Sequence, residues 1–415
     1  MHITIFVYGT WGDIRPHVVL GQGLQQNGHE VQVVAAPVYE EWVRERGLGF
    51  HALSVDMNTF MKENASIMDE NIIGQIRNAS KVVTPIMVTM ALETYEATRN
   101  SDVLITVEFG VALLFDVIKA NNLKTILINP APLNPTVEFS SALPPAPGWF
   151  PFPEWYNRTS YSIFHRLGWT ILGSARKKTA KELPGQPKSS YKEYKSMILN
   201  TPALTTVSKH IVQGPADWAE HFQVTGYLID DDANWTAPQE LVDFLDAGEP
   251  PVYIGFGSMP DSKAEKTTQI LIDAIQKSGK RAIILKGWAG FAADTVPETI
   301  FILDYAPHSW LFPKMAALIH HGGAGTTASG FRSGVPQMIV PHNADQPYWG
   351  RMVEKSGVGT KAIPRLKITA DNLADAIKTM TSDSNMSQNA QAIAEKISQE
   401  DGLSETVKWV ERFLK

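Results

Sequence analysis

Five short stretches of this 415-residue sequence hold side chains that could do chemistry together. They are Gly9-Thr10-Trp11-Gly12-Asp13, Gly255-Phe256-Gly257-Ser258, Tyr305-Ala306-Pro307-His308, the run His321-Gly322-Gly323-Ala324-Gly325-Thr326-Thr327, and Pro341-His342-Asn343-Ala344-Asp345-Gln346. The fourth is the most informative. It follows an apolar run of strand length at 316–319 and precedes a helical pattern that stops near Ser333-Gly334. A strand, a glycine-rich turn and a helix start make a site for an anion: the backbone can approach closely, free N–H groups point outward, and the helix dipole favours negative charge. Thr326 and Thr327 add hydroxyls, and His321 adds an imidazole able to carry a proton. A packing turn with no ligand has the same local pattern, so the run acquires its meaning from the other four stretches.

The elements that must position these residues are legible as an alternation. Apolar strands are expected at 2–8, 30–35, 102–107, 124–129, 203–207, 252–255, 281–285, 300–303 and 317–320. Helices are expected from about Pro16 to Asn27, and at 39–46, 72–99, 111–121, 163–181, 265–278 and 310–315. This spacing means βαβ units and parallel sheets with helices on both faces. Ligands bind at the carboxyl ends of such strands, and all five stretches fall at strand ends. One lies in the first half and four in the second. A ligand held by the second domain, with chemistry delivered from the first, is the expected division.

The length calls for two domains, expected as an α/β pair: 1–223, a linker at 224–238, and 239–395, with a final helical segment 396–415 packing back on the first domain. Composition is that of a globular chain, 44% hydrophobic and 19% charged. A formal charge of −6 argues against nucleic acid as a partner. The absence of cysteine excludes disulfides and thiolate metal sites and fits a cytoplasmic protein. No apolar run reaches the roughly 18 residues of a spanning helix, so stable membrane insertion is not expected, while peripheral contact is compatible. Residues 1–8 lack the basic start and cleavage site of a signal peptide and read as a strand.

Residues 130–161 break the alternation. They are dense in Pro and aromatics, including Trp149, Phe150, Phe152, Trp155 and Tyr156. The expectation is an irregular loop lining an apolar pocket, with packing of the loop on its own domain as the plainer alternative. Segments 57–68 and 86–95, rich in methionine, are expected to join it, since methionine adapts to varied shapes.

At this point the sequence resembles a known family. Tyr305-Ala306-Pro307-His308, then His320-His321-Gly322-Gly323-Ala324-Gly325-Thr326-Thr327, then Asp345-Gln346-Pro347-Tyr348-Trp349-Gly350 are similar to the donor-binding signature of sugar-nucleotide-dependent glycosyltransferases of the UDP-glycosyltransferase superfamily. Gly9-Thr10-Trp11-Gly12-Asp13-Ile14-Arg15-Pro16 and Pro251-Val252-Tyr253-Ile254-Gly255-Phe256-Gly257-Ser258-Met259 resemble its bacterial and sterol branch. The resemblance runs through the whole chain in the right order. It implies a GT-B fold, two Rossmann-like doubly wound domains facing each other across a cleft, and inverting transfer of a hexose, glucose first, from a UDP-sugar or dTDP-sugar to a hydroxyl of an apolar acceptor such as a sterol, terpenoid or polyphenol. It implies no metal and no cofactor beyond the sugar nucleotide, and a monomer or weak dimer.

The same resemblance assigns residues. Tyr305 stands where a Trp stacks on the base, Ala306 offers backbone hydrogen bonds to the base edge, and His308 replaces a Gln of plant members. His321, Gly323, Gly325 and Thr326 would hold the diphosphate, helped by Ser258 and Gly12, and His321 would take up charge as the diphosphate leaves. Asp345 and Gln346 would bind sugar hydroxyls. His17, Glu108, Phe109, Trp149, Phe152 and Trp349 would face the acceptor. Asp13 would be the catalytic base, because an acceptor hydroxyl attacks only as its proton is removed. Plant members place a His there, backed by an Asp where Val107 stands here, so the carboxylate would act directly, with Glu108 the nearest second acid. Ser329 stands where plant members hold the ribose with a Glu, which leaves dTDP-sugars open. Asp230-Asp231-Asp232 resembles a metal-binding acid cluster but sits in the linker, where a solvated loop is expected. Three other readings share the motifs: a dTDP-deoxysugar transferase, a sugar-nucleotide epimerase, and a non-catalytic nucleotide-sugar-binding or lipid-binding protein. The aromatic loop speaks against the epimerase, and Asp13 against mere binding.

Overall fold

The structure, a computed structural model, describes residues 1–55, 72–142, 152–186, 188–230, 235–257, 264–286 and 296–415. The chain divides into two compact units, Met1–Asp230 with Asp401–Lys415, and Asp231–Glu400.

In the first unit the elements run β1 (His2–Phe6), α1 (Trp11–Gln26), β2 (Glu30–Ala35), α2 (Glu40–Glu45), β3 (Gly49–Ala52), α3 (Ile72–Ala97), β4 (Val103–Thr106), α4 (Glu108–Ala120), β5 (Lys124–Asn129), α5 (Glu154–Ile171), α6 (Gly173–Glu182), α7 (Tyr191–Asn200), β6 (Ala203–Thr205) and β7 (Phe222–Val224). The sheet order is β3-β2-β1-β4-β5-β6-β7, parallel throughout. The strands read as nearly unbroken apolar runs because both faces are covered. One face packs Ile3, Ile5, Val31 and Val33 under Val18 and Leu24 of α1. The other packs Phe6, Leu104 and Leu127 under α3 and α4.

The second unit runs α8 (Gln239–Asp246), β8 (Val252–Gly255), α9 (Ala264–Ser278), β9 (Ala282–Leu285), β10 (Ile300–Leu303), α10 (His308–Leu311), β11 (Ala317–His320), α11 (Ala324–Ser333), β12 (Gln337–Ile339), α12 (Gln346–Lys355), α13 (Ala370–Ser382) and α14 (Ser384–Ser398). Its parallel order is β10-β9-β8-β11-β12. A last helix, α15 (Gly402–Leu414), belongs to the first unit. There Gly23 of α1 leaves room for Leu403 and Val407, which a Cβ would meet at 2.8 Å. His29 and Glu411 close the contact at 2.5 Å.

Several expectations are corrected. The stretch around Asp13 is not loop: α1 begins at Trp11 and Pro16 lies inside it. The N–H that Pro16 lacks would have met the carbonyl of Gly12, at the solvent-exposed helix start. Val224, expected as the first linker residue, instead ends an edge strand, while the boundary between the units falls after Asp230, inside the expected linker. Residues 154–161 are helical rather than irregular, because α5 starts at Glu154. Met87 and Met90 of α3 are core side chains, not walls of a pocket. Asp230 is no solvated loop acid: Arg15 (3.6 Å) and Arg46 (3.4 Å) hold its carboxylate. Asp231, Asp232 and segment 57–68 lie outside the described residues.

Candidate active site

Each sheet reverses direction of growth once. In the first unit the switch lies between β1 and β4, and in the second between β8 and β11. The crevice outside the carboxyl ends of such a strand pair is where doubly wound sheets bind ligands. Asp13 and Glu108 stand at the first switch, Gly257 and His321 at the second.

At the first switch, Asp13 is the third residue of α1 and half-buried. Its Oδ2 accepts from the Thr10 backbone N–H at 2.7 Å and from the Thr10 hydroxyl at 3.2 Å. Gly9 takes φ +133°, and a Cβ there would lie 2.3 Å from that oxygen. The glycine is required for the carboxylate to reach back over its own helix start. Gly12 is exposed beside it. The Tyr8 phenol is pushed far up by burial and by the Asp13 charge, so it stays protonated.

His17, one turn on, is buried and donates from Nδ1 to the Asp13 carbonyl at 2.7 Å. Burial lowers its pKa, leaving a neutral ring whose Nε2 has no partner among the described residues. Expected to face the acceptor, it braces the helix from inside through Nδ1. Glu108, expected near the acceptor as a second acid, is likewise enclosed. It is buried, its N–H donates to Asn129 Oδ1 at 3.0 Å, and His165 Nε2 stands 2.8 Å from Oε1, off the line of a proper hydrogen bond. That partner comes from α5, 57 positions away, with no local signal in the sequence. Phe109 is half-buried, its ring 6.1 Å from that of Tyr8. Phe152 stacks on Tyr156 at 4.1 Å. Trp149 lies outside the described residues.

At the second switch, His320 explains the glycine turn. Buried at the end of β11, it donates from Nε2 to Gln337 Oε1 (2.9 Å) and accepts at Nδ1 from the Gly322 N–H (3.1 Å). Both ring nitrogens are used, and burial lowers the pKa to about 4. Gly322 sits at φ +91°, where a Cβ would meet Ile339 at 2.5 Å, so no other residue serves. Nothing local in the sequence pairs His320 with Gln337, because their bond depends on the pairing of β11 with β12.

The His321 ring packs over the turn, so close that a Cβ on Gly323 would come within 2.6 Å of Nε2 and one on Gly257 within 3.0 Å of Cε1. Burial first, then the charges of His320, His342 and His308, lower its pKa to about 3. Near neutral pH His321 is therefore uncharged in the fold and offers a polar N–H. α11 starts at Gly323 with no side-chain cap and no acid in its first turn. Thr327 N–H already bonds the Gly323 carbonyl at 2.9 Å, so the N–H groups of Ala324, Gly325 and Thr326 are the ones a helix start leaves over. Gly325 faces open space, and the Thr326 hydroxyl has no partner among the described residues. The Ser329 hydroxyl turns into its own helix, to the Gly325 carbonyl.

Around this start stand the remaining side chains. Tyr305 is 47% exposed and Ala306 is buried beside it. The His308 ring stacks on Phe312 at 4.2 Å. Asp345 accepts from the Trp349 indole N–H at 2.7 Å, and burial raises its pKa. Trp349 itself is 1% exposed. The ring fills the interior and its N–H aims Asp345. The Gln346 oxygen accepts from the backbone N–H groups of His342 (2.7 Å) and Asn343 (3.1 Å), so it holds the loop rather than pointing outward. Ser258 lies outside the described residues. Among the described residues no group of three or more His, Asp or Glu is placed to hold a metal ion.

Comparison with known proteins agrees with this architecture. Residues 3–99 match the glycosyltransferase family 28 N-terminal domain, and residues 272–413 match the erythromycin biosynthesis protein CIII-like C-terminal domain. Two sterol 3-beta-glucosyltransferases of Arabidopsis thaliana are 33% and 30% identical over 98% and 100% of this chain, which spans 65% and 68% of their lengths. A sterol 3-beta-glucosyltransferase of Cryptococcus neoformans is 30% identical over the whole chain, which spans 27% of it. Among solved structures, the glycotransferase of kitacinnamycin (TM-score 0.73, 18% identity, 100% and 99% of the two chains) and the calicheamicin glycosyltransferase CalG4 (TM-score 0.70, 16% identity, 100% and 98%) share the fold. The chain belongs to the UDP-glycosyltransferase superfamily, with two Rossmann-like units of the GT-B type.

Proposed function

We propose that this chain is an inverting, metal-independent glycosyltransferase that moves glucose from UDP-glucose to the hydroxyl of a sterol-type acceptor. The observation that carries the reading is the uncapped start of α11 at the second switch point, in the same sheet whose other strand ends carry exposed Tyr305, after β10, and Asp345, after β12. An aromatic face suits a base, the free N–H groups suit a diphosphate, and an oriented carboxylate suits sugar hydroxyls. The relation to sterol glucosyltransferases supports glucose and a sterol.

In the reaction, Asp13 takes the proton of the acceptor hydroxyl as its oxygen bonds the anomeric carbon. The bond from that carbon to the diphosphate oxygen breaks at the same time, and UDP leaves with the electron pair. Attack opposite the leaving group inverts the centre. The negative charge grows where α11 presents N–H groups and where neutral His321 donates, help that is already oriented before the reaction. A second reading, a dTDP-sugar donor, is favoured by Ser329, whose short hydroxyl faces its own helix and cannot span two ribose oxygens.

Thermal-shift measurements with UDP, dTDP, GDP and ADP, each with magnesium or with a chelator, test the proposal by mass action. UDP should raise the midpoint most, equally in chelator. A larger shift from dTDP selects the second reading. Equal shifts from all four, or strict dependence on magnesium, contradict both.

A further inference from the structure

The outer face of α5 is unusual for a buried-core fold. Trp155, Ile163, Leu167 and Ile171 are 69%, 52%, 45% and 52% exposed. One 18-residue helix thus holds four of the nine large apolar side chains that are exposed among the described residues. Positions 155, 159, 163, 167 and 171 follow one another at four-residue spacing and form a single ridge, about 24 Å long at the helical rise. Thr159 is its one polar place. The opposite face, Asn157, Ser160, Tyr161, His165 and Gly168, is buried in the first unit. The helix therefore cannot roll to hide the ridge.

Charge beside the ridge has a definite sign. Arg166 lies on the neighbouring row of α5, where Arg158 is paired with Asp217 at 3.6 Å, and α6 adds Lys177, Lys178 and Lys181, all exposed. Those three lysines make no ion pair with any described residue. Residues 154–200 hold nine of the 37 Lys and Arg but only three of the 43 Asp and Glu, in a chain of net charge −6. An apolar ridge edged by cations, on a chain otherwise acidic, is the composition of a helix that lies in a membrane interface. A contact between two copies would instead set these cationic rows against each other.

We propose that α5 and α6 are the face on which the chain seats itself on an anionic lipid bilayer. The ridge enters the boundary between headgroups and acyl chains. The stems of Arg166 and the three lysines run alongside it and place their charges among the headgroups. This inference rests on the first unit alone and is independent of the donor and acceptor proposed above.

Flotation of the full chain with lipid vesicles tests it. The vesicles are phosphatidylcholine alone or with about 30% phosphatidylserine, in low salt and in high salt that screens surface charge. The unaltered chain should float with the anionic vesicles at least about tenfold more than with the neutral ones, and less in high salt. The pair Ile163→Glu and Leu167→Glu should abolish flotation with both. The pair Lys177→Glu and Lys178→Glu should remove the anionic preference only. Unchanged melting by circular dichroism shows that the variants are folded, as expected for exposed positions. Failure of the unaltered chain to float overturns the proposal, as does flotation of either variant like the unaltered chain. A dimer in solution that Ile163→Glu splits, without vesicle binding, also overturns it and makes the ridge a self-association face.

Discussion

The two units begin their sites with the same piece of backbone, a strand, a glycine loop and a helix start, yet finish it with opposite chemistry. In α1 the third helical position is Asp13, and its carboxylate bonds back to Thr10 at 2.7 Å. In α11 the third position is Thr326, with no acid in the first turn and a glycine before it. A carboxylate at a helix start occupies the positive end of the dipole, and its absence leaves that end for a ligand. In the function proposed above, this one difference at equivalent positions gives the first site its proton acceptor and the second its anion holder.

Breaking the first half of this comparison should have the largest effect. Asp13→Asn keeps size and the bond from Thr10 but cannot take a proton near neutral pH. Transfer should fall by roughly 10²- to 10⁴-fold, the usual worth of a general base, measured as kcat with saturating donor and acceptor. Melting should hold, because the asparagine oxygen still caps α1.

Making the second half resemble the first comes next. Thr326→Asp puts a carboxylate where the diphosphate is expected. Donor affinity should drop by about 10- to 100-fold, while the helix gains the favourable charge that a first turn prefers. A weaker donor site with unchanged or raised melting temperature would separate binding from folding.

Smaller still is the effect of aim. Trp349→Phe keeps the buried ring but removes the N–H that holds Asp345. A lost hydrogen bond to a charged group costs about 1.5–3 kcal/mol at most. KM for the sugar nucleotide should rise by about tenfold, while affinity for UDP without its sugar stays put. An equal loss for UDP would mean that Trp349 supports the whole loop.

Acid stability gives the finest probe. His321 has its pKa lowered to about 3 in the fold, against about 6.5 in the unfolded chain. Between those values the unfolded chain binds the extra proton, so stability is complete above pH 6.5 and is lost as pH falls below it. His321→Asn should flatten the decline of melting temperature between pH 7 and pH 5. An unchanged slope would show that His320, lowered to about 4, dominates this limb.

The sequence made the alternation and all five strand ends legible, because apolar runs and glycine turns are local signals. Edge strands β3, β7 and β12 were not legible, since Gly49–Ala52, Phe222–Val224 and Gln337–Ile339 become strands only by pairing with β2, β6 and β11. Positions of side chains beyond one turn were also hidden. Glu108 meets His165 only in three dimensions, and His320 meets Gln337 only through strand register. Trp349 is different. Its spacing of four from Asp345 on a helix was a usable signal, since such neighbours share a face, but the aromatic ring suggested a pocket wall instead. The charge of His321 could not be read either, because its burial depends on the packing of the turn, and two of the imidazoles that add to the shift, His308 and His342, come from distant parts of the chain.

The central claim is that proton transfer and donor binding belong to different units. Calorimetric titration of UDP, without divalent metal, into the unaltered chain, Asp13→Asn and Thr326→Asp tests it directly. The account predicts a Kd within about twofold of the unaltered value for Asp13→Asn and weakened by at least about tenfold for Thr326→Asp. An Asp13→Asn variant that loses UDP as severely as Thr326→Asp, or a Thr326→Asp variant that binds it unchanged, would contradict the account.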